Sequence, residues 1–307
     1  MTIRVVPTPA NPTIQAAINN ADPGDSIQIL AGTFDGFEVD KPRLKIFGCG
    51  VGKTIITGTP AIVNMGGVVV NADRTTLEKM TIQGFSGENG LLVLSNNNFF
   101  KQIESSFNTG PVVDGFQLAG DRNLTIDCIA SFNTEDGFDF AGSVRNYTMN
   151  CQSFRNGDKG YRISAMNNKL TSNSAKNNED GFFVNENENI LFNNQSFKNN
   201  NRGFLIGTNH NNNNLMNNFA CNNNSSGIQI ESATTENVLD VNIVRKNGIS
   251  GLGSGIFIQN GATDSSIRFN KLKLNNPFDI QAIGNASTDN TFDGNICDNS
   301  FPIGLCT

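Results

Sequence analysis

The segment GFDFAGSVRNYTMNCQSFRNGDKGYRI, residues 137–163, contains one full period of a repeat and decides the fold. At each end stands a Gly followed by an apolar, a variable and an apolar residue, a pattern that we name the rung. From 115 to 227 the rung recurs at steps of 22, 23, 21, 22 and 24 residues. Such a period holds three short strands joined by turns and leaves no room for a helix. The repeat therefore predicts the coils of a parallel β-solenoid.

The same pattern extends over most of the chain. Further rungs start at 36, 67, 90 and 255, and PFDI at 277 continues the series with Pro in the place of Gly. These rungs predict one all-β solenoid domain over residues 1–307, with about 11 coils. Because side chains alternate along a strand, Phe138 and Phe140 should point into the core and Asp139 should be exposed.

Both ends of the solenoid should be capped. In the segment PTIQAAINNADPGD, Ile14, Ala17, Ile18 and Ala21 have helical spacing, so we expect a short amphipathic helix within an N-terminal cap of about residues 1–25. Such a helix would cover the open edge of the first coil. At the other end we expect a C-terminal cap at about 290–307, where Cys297 and Cys306 either form a disulfide bond or stay free.

Asparagine recurs at one repeat position, four residues before the rung Gly. Asn is suited to turns because it tolerates left-handed backbone conformations and bonds to neighbouring amides. We therefore predict a stacked ladder of the following residues: Asn133, Asn156, Asn177, Asn199 and Asn223. The glycosylation-type motifs at Asn123 and Asn146 share another repeat position, which indicates repeat chemistry. Cys128 and Cys151 also occupy equivalent positions and are either a disulfide or a stack of buried thiols.

Charge and hydropathy exclude several classes of partner. The net charge of −6 and the pI near 4.9 argue against nucleic acid, which needs clustered Lys and Arg. The sequence contains neither an apolar run of 18 residues nor an N-terminal stretch that resembles a signal peptide. His210, the single His, lies in a polar run, NHNNNN, and is expected to be solvated.

Two N-terminal motifs carry a resemblance to a known family. The segments TIQAAINNADPGDSIQILAGTF (13–34) and KIFGCGVGKTIITG (45–58) resemble the opening of right-handed parallel β-helix proteins of the pectin-lyase-like superfamily. The resemblance implies a right-handed solenoid and an extracellular or cell-surface location. It also implies a choice among polysaccharide lyases, glycoside hydrolases, uronate epimerases, tailspikes and non-enzymatic surface proteins.

Family signatures narrow that choice. In the segment 133–139, NTEDGFD is similar to the NTDGxD element of polygalacturonases, with Glu135 inserted, but the later elements of that family are missing. The DPH signature of alginate epimerases is missing too. A lyase or an epimerase needs Ca²⁺ or Arg to neutralise a uronate carboxylate and a base to remove the C5 proton. A lyase is the preferred hypothesis, and a hydrolase or an epimerase stays open.

One region could supply a lyase site. We expect Asp136, Asp139, Asp158 and Asp180 to bind Ca²⁺, because these carboxylates recur near the rung. Arg162 would act as base or carboxylate clamp, with assistance from Lys159 and Asp139. The alternative is purely structural, because Asp before Gly is common in turns and Asp139 with Arg162 would be an ordinary cross-strand pair.

A different class of function is also open. Phe183 and Leu205 occupy outward positions on successive coils and could form an exposed apolar face. Through this face a non-enzymatic β-helix of a surface layer, fibre or spore-type coat would self-associate. The sequence thus leaves two hypotheses: a Ca²⁺-assisted lyase of acidic polysaccharide, or a self-associating structural or adhesive protein.

Overall fold

A computed structural model describes residues 2–306 and confirms the all-β fold class. These residues form about 13 coils of a parallel β-solenoid, slightly more than the 11 that we counted. The chain divides into two compact units, Met1–Gly157 and Asp158–Thr307. The prediction of one domain over 1–307 stays a prediction.

The first unit contains one short helix, α1 (Ile14–Asn19), and sixteen strands. The strands are β1 (Ile3–Val6), β2 (Ser26–Ile29), β3 (Gly32–Phe34), β4 (Phe37–Val39), β5 (Lys45–Phe47), β6 (Thr54–Ile56), β7 (Gly66–Val70), β8 (Thr76–Gln83), β9 (Asn89–Val93), β10 (Phe99–Ser106), β11 (Phe116–Leu118), β12 (Leu124–Ile126), β13 (Ile129–Ser131), β14 (Phe138–Ala141), β15 (Tyr147–Met149) and β16 (Gln152–Phe154). The rungs lie on β4, β7, β9, β11 and β14, which pair in parallel as one sheet.

The second unit contains eighteen strands and a short 3-10 helix at Gly284–Ser287. The strands are β17 (Tyr161–Ser164), β18 (Lys169–Thr171), β19 (Ser174–Lys176), β20 (Phe182–Val184), β21 (Ile190–Phe192), β22 (Gln195–Phe197), β23 (Phe204–Ile206), β24 (Asn214–Met216), β25 (Phe219–Cys221), β26 (Ile228–Ile230), β27 (Val238–Asp240), β28 (Ile243–Arg245), β29 (Ile256–Ile258), β30 (Ser266–Arg268), β31 (Lys271–Lys273), β32 (Ile280–Ala282), β33 (Thr291–Asp293) and β34 (Ser300–Phe301). Here the rung strands are β17, β20, β23, β26, β29, β32 and β34.

The rung side chains fill the core as predicted. Tyr161, Phe182 and Phe204 stack on successive strands of the second unit, with ring centroids 4.6 and 4.8 Å apart. In the first unit, Phe116 and Phe138 stack in the same way at 4.6 Å. This spacing is that of paired strands, so the register of the sheet aligns identical side chains into columns.

The rung glycines are required by sterics more than by backbone conformation. A Cβ on Gly181 would lie 1.9 Å from Ser196 Oγ and 2.5 Å from the carbonyl oxygen of Gly203 on the next coil. No side chain fits there without moving the neighbouring coil. The Gly that begins each rung therefore sets how closely the coils approach.

The N-terminal helix forms where predicted. Thr13 caps it by accepting a hydrogen bond from the Ala16 amide at 3.1 Å, and Ile14, Ala17 and Ile18 are buried. Helix α1 packs against β1, β2 and β4. The additional coils come from the ends, where β1 and β34 lack the rung pattern. The register of the segment at 277 was wrong: Ile256 pairs with Ile280, so Asp279 takes the Gly place.

One of the two predicted cysteine pairs forms a disulfide bond, and the other does not. Cys297 and Cys306 form a disulfide bond, which confirms the first of our two alternatives for the C-terminal cap. Cys128 and Cys151 are buried thiols, and the Cys128 amide donates to Cys151 Sγ at 3.4 Å. They are a stack of thiols, and burial raises the pKa of Cys151 well above its ordinary value.

Asparagine ladders run along the turns, but in more columns than predicted. In the second unit, one column consists of Asn173, Asn194, Asn218, Asn242, Asn270 and Asn295. In each step the backbone amide donates to the side-chain oxygen of the Asn on the next coil, at 2.8 to 3.1 Å. These buried amides are therefore satisfied by the repeat itself.

Two details of the predicted ladder need correction. Asn178, not Asn177, is its member, since the Asn178 amide donates to Asn199 Oδ1 at 3.0 Å. The coil there is the shortest of the series, so the offset from the rung shrinks by one. The left-handed residue is the one before the ladder Asn, such as Asn177 with a φ of 56°. Asn123 and Asn146 are only 1% exposed, which confirms them as ladder residues.

Candidate functional site

The predicted site residues are divided between the two units. Asp136 and Asp139 lie in the first; Asp158, Lys159, Arg162 and Asp180 lie in the second. In the first unit, a carboxylate accepts a hydrogen bond from the backbone. Asp114 Oδ1 accepts a hydrogen bond from the Asp136 amide at 3.0 Å, and both side chains precede a rung Gly.

Asp139 is buried, so its predicted exposure was wrong. It points out of β14 but is only 8% exposed. Gln117, on the neighbouring strand, donates to Asp139 Oδ2 at 3.4 Å and itself accepts from Asn89 at 3.1 Å. Long polar side chains on successive coils thus cover this face, which simple alternation along a strand does not reveal.

The second unit brings three of the predicted residues together with Asp158. Lys159 Nζ contacts Asp158 Oδ1 and lies 3.3 Å from Asp180 Oδ2, while Arg162 Nη2 lies 2.9 Å from Asp158 Oδ2. The sequence interpretation missed a fifth member, Arg202, whose amide donates to Asp180 Oδ1 at 2.9 Å and whose Nη1 lies 3.7 Å from the same oxygen. We name these five residues the Lys159 cluster.

The repeat explains why the cluster forms. Lys159, Asp180 and Arg202 each stand directly before a rung Gly on successive coils, so their side chains stack at one turn. Aligning this column would have found Arg202. Three cations surround two carboxylates, which leaves the cluster with one excess positive charge in a chain whose net charge is −6.

Burial separates the roles of the members. The Asp180 side chain is 2% exposed, and that of Lys159 is 15% exposed. Arg162 and Arg202 are 35% and 25% exposed, so their guanidinium groups are within reach of a ligand. Asp158 lies between, at 27%. The cluster therefore has a buried anchor and a cationic rim.

Lys159 keeps its charge. Burial alone would lower the pKa of this ammonium group, but Asp158 and Asp180 more than offset that effect, so the pKa of Lys159 is raised above its ordinary value of 10.5. Lys159 is thus a permanent cation at neutral pH. It can bind an anion or donate a proton, but it is not a proton acceptor.

The outward positions beside the cluster form a column that we name the outer face. Its members are Arg162, Phe183, Leu205, Gln229, Phe257 and Gln281. Arg202 Nε donates to Gln229 Oε1 at 2.9 Å, and Lys159 Nζ lies 5.9 Å from the centre of the Phe183 ring.

The predicted apolar patch on this face is not exposed. Leu205 is only 5% exposed, and Phe183 is half-buried. Leu205 lies between its strand partners Phe183 and Gln229. Phe183 and Leu205 therefore do not form the exposed apolar face that we expected for self-association.

His210 is half-buried, so the expectation of a solvated side chain was wrong. Its Nε2 lies 3.1 Å from Asn185 Oδ1. Burial lowers the pKa of His210 below its ordinary value of 6.5, although Glu186 and Glu231 act in the opposite direction. The imidazole is therefore neutral at pH 7.

Two of the carboxylates that we expect to bind Ca²⁺ are paired with an ammonium group. Asp158 and Asp180 both contact Lys159. Within residues 2–306, His, Cys, Asp and Glu side chains form no group of three or more with the geometry of a metal site. Over the same residues, no helix has the length and apolar character of a membrane span.

Several solved structures have a fold similar to that of this chain. The A-module of the Azotobacter vinelandii mannuronan C-5 epimerase AlgE4 is similar over 94% of this chain and 90% of its own, with a TM-score of 0.78 and 17% identity. The alginate lyase AlyF-OU02, solved with G6, matches 88% of this chain and 70% of its own, with a TM-score of 0.67 and 13% identity. For the PL6 family polysaccharide lyase Pedsa3628 of Pseudopedobacter saltans, the shares are 92% and 89%, the TM-score 0.57 and the identity 14%.

These identities are low, so the similarities concern the fold. No curated protein matches the chain. The family profile described as a right handed beta helix region matches residues 66–220, about half of the sequence, and agrees with the parallel solenoid of rungs described above. The chain belongs to the right-handed β-helix family.

Proposed function

We propose that this protein is carbohydrate-active, and that it binds an acidic polysaccharide at the Lys159 cluster and cleaves it by β-elimination. The observation that carries the proposal is the cationic rim of Arg162 and Arg202 around the buried Lys159. Its excess positive charge stands out in an acidic protein. Support also comes from the similar folds, which include an alginate lyase and a PL6 family polysaccharide lyase.

The first task of a uronate lyase is to neutralise the carboxylate next to the scissile bond. Arg162 suits this role because a guanidinium stays charged and presents parallel N–H donors to a carboxylate. Lys159 adds a second permanent cation. Neutralisation stabilises the negative charge that develops when the C5 proton is removed. We therefore give Arg162 the role of clamp, in preference to that of base.

The proton acceptor should lie within the same cluster, because C5 is bonded to the carboxylate carbon. Asp158 is the partly exposed carboxylate there, and in the free protein it contacts Lys159 and Arg162. A uronate carboxylate would compete for these two cations. Displacement of these ion pairs would leave a carboxylate oxygen of Asp158 available to take the C5 proton when substrate is bound.

The bond changes balance within these residues. Asp158 takes the C5 proton, the C–H electron pair forms the C4–C5 double bond, and the C4–O4 bond breaks. The departing O4 takes a proton from the Lys159 ammonium group, and solvent restores both side chains. The products are an unsaturated uronate end and a shortened chain.

Calcium is not part of this mechanism. The proposal that Asp136, Asp139, Asp158 and Asp180 bind Ca²⁺ stays untested, but the ion pairs of Asp158 and Asp180 with Lys159 argue against it in the second unit. An extracellular or cell-surface location is a further proposal. The disulfide bond between Cys297 and Cys306 supports it, because such bonds persist in oxidising compartments.

The test is absorbance at about 235 nm, where unsaturated uronates absorb, with pectate, alginate and glycosaminoglycans as substrates. We expect activity in chelator as well as in Ca²⁺. Asp158→Asn should abolish turnover yet keep binding, whereas Arg162→Ala should weaken both. Silence on every substrate, or activity that Asp158→Asn leaves intact, would refute the lyase mechanism.

A further inference from the structure

A half-buried group of side chains adjoins the Lys159 cluster and has no role in the mechanism above. Gly207 follows β23, and a Cβ at this position would lie 3.0 Å from Phe183 Cε2, 3.2 Å from Asn185 Oδ1 and 3.3 Å from His210 Cδ2. The absence of a Cβ at Gly207 lets the aromatic ring, the amide and the imidazole approach the backbone closely here. Phe183 also contacts the other side of the site, since Lys159 Nζ lies 5.9 Å from its ring centre.

The contact of His210 with Asn185 favours one tautomer. Asn185 Oδ1 is an acceptor and lies 3.1 Å from Nε2, so the neutral tautomer that satisfies this contact carries its proton on Nε2. Nδ1 is then the acceptor of the ring. It accepts no hydrogen bond from residues 2–306, and the side chain is only half-buried.

The charged groups around His210 do not compete for this acceptor. Glu186 and Glu231 are the carboxylates that act on the imidazole. No hydrogen bond joins either of them to the imidazole among residues 2–306, and Glu231 accepts from Thr208 Oγ1 at 3.0 Å. Nδ1 is therefore available to a hydroxyl donor supplied by a ligand.

We propose that Phe183, Gly207 and His210 form a subsite for the sugar ring whose carboxylate binds at Lys159; this inference rests on the proposed function. In the subsite, His210 Nδ1 accepts a hydrogen bond from a free hydroxyl of that ring. The ring lies along Phe183, between the ammonium group and the imidazole, and packs against the aromatic side chain.

This subsite predicts a specificity. An O-acetyl group removes the donor proton and adds bulk at the same point. The protein should therefore prefer uronates with free secondary hydroxyls to their O-acetylated forms. An unpaired Nδ1 buried under an acetylated ring has no compensating partner, which is the usual basis of such discrimination.

The single His makes the test direct. Long-range ¹H–¹⁵N spectra of uniformly labelled protein report the tautomer and the Nδ1 resonance of His210 without assignment ambiguity. We would titrate trimers of galacturonate, mannuronate and guluronate, and measure Kd in parallel by calorimetry. The expected result is an Nε2–H tautomer whose Nδ1 resonance moves along the calorimetric isotherm.

Two other results are distinguishable. Binding by calorimetry with an unchanged His210 resonance would overturn the subsite while the proposed function stands. An absence of binding by all three trimers would remove the proposed function and the subsite with it.

Variants separate recognition from structure. His210→Ala should weaken binding of the unmodified trimer about five- to tenfold, the range of one hydrogen bond, and should abolish the preference over its O-acetylated form. Thr208→Ala, in the same loop, is the matched control and should keep Kd within about twofold. Equal losses for acetylated and unmodified trimers in His210→Ala would show a merely structural role and overturn the proposal.

Discussion

Two columns of the second unit follow the same repeat and differ in content. In the ladder from Asn173 to Asn295, every coil supplies the same residue, and every step makes the same hydrogen bond. On the outer face, successive coils present Arg162, Phe183, Leu205 and Gln229. A repeat position that keeps one residue type maintains the stacking of coils. A position that changes at each coil is free to build a site.

The contrast extends to charge. The ladder is neutral and buried, and its donors and acceptors satisfy one another. The Lys159 cluster joins charged groups whose rim remains partly exposed. Substitutions in the ladder should therefore lower the free energy of unfolding without a specific effect on ligand affinity. Substitutions in the cluster should weaken ligand binding with little effect on the free energy of unfolding.

The largest expected effect is in the ladder. Asn194→Ala should lower the free energy of unfolding by about 3 kcal/mol or more, because it leaves the Asn173 amide buried without its acceptor and removes the side-chain amide that donates to the Leu170 carbonyl. Urea unfolding measures this. Asn193→Asp, at the exposed left-handed position beside it, is the control and should cost less than about 1 kcal/mol. Equal losses of stability in Asn194→Ala and Asn193→Asp would contradict the structural role of the buried ladder.

The outer face should show the opposite pattern. Arg162→Ala should weaken uronate binding at least tenfold, about 1.4 kcal/mol, because it removes a bidentate carboxylate clamp. The free energy of unfolding should fall by less than about 1 kcal/mol, since the ion pair with Asp158 is partly exposed. Calorimetry and urea unfolding on the same preparation separate the two. A large loss of stability with unchanged Kd would assign Arg162 to the scaffold.

The smallest expected effect is that of pH. Because the pKa of Lys159 is raised above 10.5, the charged form is favoured in the folded state. Its ion pairs should persist throughout the neutral range and be lost only as the pH rises through that raised value. Uronate binding should therefore change less than about twofold between pH 7 and pH 9. A decline centred near pH 8 would show that Lys159 loses its proton there.

Much of the fold was predictable from the sequence, because most coils repeat the same short pattern of residues. The Gly–apolar–variable–apolar rung places Phe182 inside and Phe183 outside on one strand, and α1 follows from the spacing of Ile14, Ala17 and Ile18. Register at an irregular coil was less predictable. Asn178 replaces Asn177 because one coil is short, and Asp279 replaces Pro277 in the last predicted rung.

The candidate site was only partly predictable. Asp158, Lys159 and Arg162 were chosen from charge near the rung, and they do contact one another through Asp158. Asp139 is buried beside Gln117, and Leu205 is buried between Phe183 and Gln229 of the neighbouring strands, so neither burial follows from the residue's own position on a strand. The burial of His210 was not predicted either, because it depends on a residue distant in the sequence. Its imidazole contacts Asn185, and the polar residues around His210 in the sequence do not indicate this contact.

The most direct test of the central claim is calorimetric titration of the protein with uronate trimers in the presence of chelator, repeated with Arg162→Ala. We predict metal-independent binding by the wild-type protein to at least one of the galacturonate, mannuronate and guluronate trimers, and a loss of at least tenfold in the variant. Binding that needs Ca²⁺, or that Arg162→Ala leaves unchanged, would contradict a function built on the Lys159 cluster.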